Sequence, residues 1–125
     1  MVLIDAPAGL EYFSRKTGRN VTDLVIVSDP SKMGIHTMKR ILEVSKEVKL
    51  LFENVWILGN RFPDNVKEIL ENEVASLNEK NVKLLGFISN SDEISKMNLI
   101  GENLLNLPEE SEAYKTAKSL FASII

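Results

Sequence analysis

The sequence predicts an α/β fold, a parallel sheet with helices on both faces, and three observations carry that prediction. Residues 24–28 (Leu-Val-Ile-Val-Ser), 55–59 (Val-Trp-Ile-Leu-Gly) and 82–88 (Val-Lys-Leu-Leu-Gly-Phe-Ile) are apolar almost throughout, the pattern of strands covered on both faces. Amphipathic helical patterns lie between them. Strands that alternate with helices form β-α-β units with right-handed crossovers. The 125 residues are read as one unit with one core.

In order along the chain, Val2-Leu3-Ile4-Asp5 is a further short apolar run, expected to be a strand that delivers Asp5 to the sheet's carboxyl edge. From Ser31 to about Lys49, Ile35, Met38, Ile41, Leu42 and Val48 recur at near-helical spacing. From Asp64 to Asn78, Val66, Ile69, Leu70, Val74 and Leu77 fall on one helix face, with Asp64 as a possible cap after Pro63. The stretch from about Asn98 to Pro108 reads as the longest irregular piece. A last helix starts near Ser111, with Tyr114, Ala117, Leu120, Phe121 and Ile124 as its buried stripe. Met33, Met38 and Met97 are expected to fill the core, and Trp56 to pack inside its strand.

Composition narrows the chemistry. Lys and Arg number 15 against 18 Asp and Glu, a net charge of −3, without the basic footprint of a nucleic-acid binder. No apolar run reaches the roughly 18 residues that span a bilayer. Met1 leads straight into an apolar run with no basic n-region, so a cytoplasmic location is expected. There is no cysteine, hence no disulfide, thiol nucleophile or thiolate metal site, and His36 is the only histidine. His36 is expected at or near the surface. Lys32, Lys39, Arg40, Lys46 and Lys49 are expected to form a solvated helix face.

The most informative segment is Asp5-Ala6-Pro7-Ala8-Gly9-Leu10-Glu11. A carboxylate at a sheet's carboxyl edge can hold Mg²⁺ through water. A glycine N–H four residues on can sit close to a phosphate. By itself this pattern is equally a strand end, a turn and a helix. At the ends of the later strands, Asn60 offers an amide donor and acceptor together, or serves as a turn residue. Asp29-Pro30 either shapes a ligand-facing or dimer-facing loop, or Pro30 simply starts the next helix.

The segment closely resembles the Walker B and switch II stretch, Asp-x-Pro-Ala-Gly-hydrophobic-Glu, of the MinD/ParA-type P-loop ATPases. Ser31-Lys32-Met33-Gly34-Ile35 followed by a long helix most resembles the branch of nickel-insertion accessory ATPases for carbon monoxide dehydrogenase. Ile57-Leu58-Gly59-Asn60-Arg61 is similar to the strand whose terminal Asn contacts adenine. Gly86-Phe87-Ile88-Ser89-Asn90-Ser91-Asp92-Glu93-Ile94 resembles the loop that wraps the base, with Ser89 where the family has Pro. Gly101-Glu102-Asn103-Leu104-Leu105 and Leu107-Pro108-Glu109-Glu110-Ser111 resemble its tail.

The resemblance implies ATP and Mg²⁺ as cofactors. It implies Asp5 in the Mg²⁺ shell, Gly9 as γ-phosphate sensor, and Asn60, Arg61, Ile88, Ser89, Asn90 and Ser91 around the base. No Gly-x-x-x-x-Gly-Lys-[Ser/Thr] occurs in the sequence, so the chain resembles only the carboxyl-terminal half of such an ATPase and is expected not to hydrolyse ATP alone. Expected partners are the missing amino-terminal half or a second copy, as a dimer, and a metalloenzyme client. Neither a nucleic acid nor a membrane is expected. The alternative is a non-catalytic protein-interaction module on the same scaffold.

Overall fold

The computed structural model describes residues 1–6, 22–47 and 52–125. Its centre is a three-stranded parallel sheet of order β1-β2-β3, with β1 Asp23–Ser28, β2 Asn54–Asn60 and β3 Val82–Ile88. Helix α1 (Lys32–Glu47) connects β1 to β2. A 3₁₀ turn (Asp64–Val66) running into α2 (Lys67–Ser76) connects β2 to β3. Then follow α3 (Asp92–Ile100), a second 3₁₀ turn (Leu104–Asn106) and α4 (Glu112–Ala122). No described helix is long and apolar enough to cross a membrane.

Register explains the layering. Leu24 pairs with Val55, Ile26 with Ile57 and Ser28 with Gly59, and laterally paired residues point to the same face. That face carries the core of Ile26, Met38, Leu42, Val55, Ile57, Phe62, Leu70 and Val82, so α1 and α2 both cover it. On β3 the register slips: Ile57 pairs with Leu84 but Leu58 pairs with Gly86, leaving Leu85 as the extra residue of a bulge. Gly86 has φ +150°, and a Cβ there would lie 2.6 Å from Leu120 Cδ2. The bulge therefore needs glycine, and through Leu120 it seats α4 on the face opposite α1 and α2. Helices on both faces are what the apolar runs predicted.

The strands at 24–28, 55–59 and 82–88 stand where the sequence placed them, and four expectations are corrected. Residues 1–6 have no regular structure and lie exposed, Val2 at 85% and Leu3 at 86%. Three apolar residues without a pairing neighbour do not hold a strand, and among the described residues no strand pairs with the outer edge of β1. Met33 is 72% exposed. It lies five residues before Met38, which rotates it about 140° from the buried stripe. Ile69 is likewise half exposed beside fully buried Leu70. Asp64 caps nothing; its carboxylate pairs with Lys67 at 2.8 Å, and Pro63 stands at the cap position. Val48 and Lys49 lie outside the described residues.

Helix α3 lies where the sequence reading ran a base-covering loop into an irregular stretch. Its signals are local. The Ser91 hydroxyl accepts the Ile94 N–H at 3.2 Å, Asp92 and Glu93 occupy the first turn, and Gly101 closes the end in a left-handed conformation. Ser111 caps α4 in the same way, accepting from Tyr114 N–H at 3.2 Å. The cationic face of α1 is partly committed. Lys39 pairs with Glu73 of α2 at 2.5 Å, Lys46 with Glu79, and Arg40 with Glu43 at 3.2 Å.

Candidate functional site

Because all three strands are parallel, their carboxyl ends lie on one edge of the sheet, where open α/β sheets bind ligands. This edge brings together Asp29 after β1, Asn60 and Arg61 at the end of β2, and Ile88 with Ser89, Asn90 and Ser91 after β3. The β3 bulge decides the pairing. Without the extra residue Asn60 would stand beside Phe87; with it, Asn60 pairs with Ile88. Phe87 turns instead to the α2 face, where its ring meets Phe62 at a centroid distance of 5.4 Å. Asn60 and Ile88 are half-buried, on the face away from α1 and α2. Ser89 and Asn90 are exposed beyond them.

Arg61 closes this edge. Its backbone takes φ +60°, unusual for a residue with a Cβ, and this turns its N–H onto the Ile88 carbonyl at 2.7 Å. Its guanidinium reaches back to β1, with Nη2 3.4 Å from Asp29 Oδ2. The other oxygen of Asp29 accepts the Ser31 hydroxyl. The Ser31 hydroxyl oxygen in turn accepts the Gly34 N–H at 2.9 Å and caps α1. Gly34 is required by space, since a Cβ there would lie 2.2 Å from Asp29 Oδ1 and 2.8 Å from the Asp29 carbonyl oxygen. A chain of contacts thus runs from the start of α1 through Asp29 and Arg61 to the end of β3.

From sequence, Asp29-Pro30 is either a loop or the start of a helix. The structure starts α1 at Lys32, with Ser31 as cap and Asp29 as the group that meets Arg61. The signal was Asp-Pro-Ser-x-x-Gly, a capping hydroxyl three residues before a glycine.

Two expected site residues remain. Asp5 is exposed on a segment without strand structure, and Gly9 lies outside the described residues. Among the described residues no group of three acidic or histidine side chains comes together to hold a metal ion, so no Mg²⁺ chemistry follows from them. At the strand ends the Asn60 carboxamide, with both donor and acceptor atoms, stands beside the apolar Ile88. His36 is exposed on α1. It lines a groove of about 480 Å³ between α1 and α2, with Ile35, Phe62 and Val66 beneath it. Trp56 is half-buried, and its indole donates to Asp23 Oδ1 at 2.9 Å.

Three proteins of Methanocaldococcus jannaschii, each named an uncharacterized ATP-binding protein, are similar to this chain. One is 34% identical over 124 residues, 99% of the chain. A second is 30% identical over 125 residues, the whole of this chain. A third is 31% identical over 105 residues, 83% of this chain. No protein-family model matches the chain, and no solved structure matches it at a significant level. The matched stretch is 48%, 46% and 39% of these relatives, so the chain spans about half the length of the first two and less of the third.

Proposed function

We propose that the chain binds the base of ATP as the carboxyl-terminal part of a MinD/ParA-like ATPase. The observation that carries this reading is the pairing of Asn60 with Ile88 at the carboxyl edge of a parallel sheet. Similarity to three proteins named as ATP-binding, two of them along nearly the whole chain, supports the choice of nucleotide. In this reading the Asn60 carboxamide reads adenine with its donor and acceptor. Ile88 contacts the ring, Ser89, Asn90 and Ser91 cover its edge, and Arg61 borders it. The segment Asp5-Ala6-Pro7-Ala8-Gly9 supports, by resemblance alone, a role for Asp5 in orienting Mg²⁺ through water and for Gly9 N–H at the γ-phosphate. A phosphate-cradling loop and its lysine, which supply most of the electrostatic stabilisation in phosphoryl transfer, come from an amino-terminal half. The finer role, nickel insertion into carbon monoxide dehydrogenase, rests on the resemblance of Ser31–Ile35.

A calorimetric titration of MgATP and MgADP into the chain, alone and with a supplied amino-terminal half, tests the reading. Alone the chain binds weakly and does not turn over ATP; with the half it binds ATP in preference to GTP. Asn60→Ala then weakens ATP binding by about 1–3 kcal/mol, the scale for unpairing a buried polar group. Unchanged affinity and unchanged base preference in that variant would remove Asn60 from the site. ATP-dependent nickel loading of the apo-dehydrogenase, compared with and without the assembled protein, checks the client. No difference between the two arms discards the nickel role and leaves ATP binding standing.

A further inference from the structure

We propose that Asp29 is a positioning residue: it holds Arg61, and through Arg61 it fixes the carboxamide of Asn60, so that Asp29 sets base discrimination without touching the base. The inference rests on the reading of Asn60 given above and adds to it the residue that governs its orientation.

Four observations point to it. The Asp29 carboxylate cannot turn freely, because Ser31 donates to one oxygen and the Gly34 backbone leaves no room for even a methyl group beside it. The other oxygen is thereby aimed at Arg61 Nη2, 3.4 Å away. Arg61 follows Asn60 directly and holds a left-handed backbone at φ +60°, a conformation that costs energy unless neighbours enforce it. Two contacts enforce it from opposite sides: the Arg61 N–H on the Ile88 carbonyl at 2.7 Å, and the guanidinium on Asp29. Asn60 is the last residue of β2, so its side chain takes its direction from the backbone that this clamp holds.

The pair is exposed, 60% for Arg61 and 41% for Asp29, and exposed ion pairs add little to stability. Its use is therefore geometric. A stabilising role would favour burial; a role in aiming a neighbour needs only that the partner stay in one place, and the Asp29 carboxylate is held from behind.

The test is nuclear magnetic resonance on the ¹⁵N-labelled 125-residue chain, with adenosine and guanosine as probes of the base subsite alone. Asp29→Asn keeps an oxygen for the Ser31 hydroxyl and removes the charge that meets Arg61. Its Asn60 carboxamide and Arg61 Nε–H signals shift or broaden, and the preference for adenosine over guanosine falls roughly fivefold, the scale of coupling within a contact network. Arg61→Lys, which loses the planar fork, cuts the same link from the other side and gives the same loss. The Trp56 indole signal, reporting the opposite end of the sheet, stays in place in both variants and separates local loosening from unfolding. Asn60 signals and base preference identical to wild type in both variants would overturn the proposal. If the wild-type chain itself shows no preference for adenosine, the base reading of Asn60 fails. The Asn60 and Arg61 signals in Asp29→Asn still decide whether Asp29 positions them.

Discussion

The two ends of the sheet solve one problem, tying β1 to β2 through an aspartate at or just past the end of β1, in opposite ways. At the amino end Asp23 accepts from Asn54 Nδ2 at 3.1 Å and from the Trp56 indole at 2.9 Å. Both donors are neutral, partly buried, and set in the strand paired with Asp23 itself. At the carboxyl end Asp29 accepts from the exposed Ser31 hydroxyl and faces an exposed guanidinium that projects from a turn. The first arrangement is a lock: half-buried charge-assisted hydrogen bonds, costly to break because the carboxylate would lose its donors away from water. The second is a brace: weak in free energy, strong in direction, and open to a ligand. The difference in burial teaches where the molecule holds itself together and where it is free to act.

Substitutions break or sharpen this contrast in a definite order. Ile57→Ala, at a fully buried residue beneath both ends, empties the core and lowers stability by about 2–5 kcal/mol; urea denaturation measures it, and both ends loosen together. Gly34→Ala pushes a methyl into the Asp29 carboxylate and carbonyl and costs about 1–3 kcal/mol, the range for overpacking. Its chemical-shift changes concentrate at the carboxyl end. Trp56→Phe removes the indole donor from Asp23 and costs about 1 kcal/mol. Asp29→Asn changes stability by less than about 0.5 kcal/mol while altering the Asn60 signals. Equal stability losses in Trp56→Phe and Asp29→Asn would erase the distinction between lock and brace.

The smallest effect belongs to a third aspartate, Asp64, fully exposed beside Lys67. The hydrogen bond and charge of the Lys67 ammonium lower the Asp64 pKa below the ordinary 3.8. A carboxylate whose folded pKa is depressed contributes above its unfolded value and loses that contribution as pH falls through the folded one. Its effect is thus present at neutral pH and disappears only below the ordinary carboxylate range. An NMR titration of Asp64 checks this, and Lys67→Ala returns the midpoint toward the ordinary value.

How much of this was legible depended on how local the determinants are. The three long apolar runs became strands because continuous apolar residues find burial only between two layers, a demand each run states by itself. The helices α1, α2 and α4 followed from periodicity, and the caps Ser31 and Ser111 stand just before α1 and α4. Helix α3 was equally local in its signals, with Ser91 before two acids and Gly101 after, but the likeness of that stretch to a base-covering loop obscured it. The run at 2–5 departs from expectation because apolar character alone does not make a strand: a strand needs a pairing neighbour, and residues 1–6 pair with none among the described residues.

The sequence by itself determined the α/β class, the strands, most of the helices and the placing of Asn60 and Ile88 near strand ends, because burial and hydrogen-bond demands act over a few residues. Only the tertiary structure decided the register. The β3 bulge, made possible by Gly86, sets Ile88 rather than Phe87 beside Asn60. The meeting of Asp29 with Arg61, 32 residues apart, was likewise decided in three dimensions. Pairings of that span depend on which strand edges face one another and by how many residues they slip, which is fixed by packing across the whole sheet rather than by any segment of the chain.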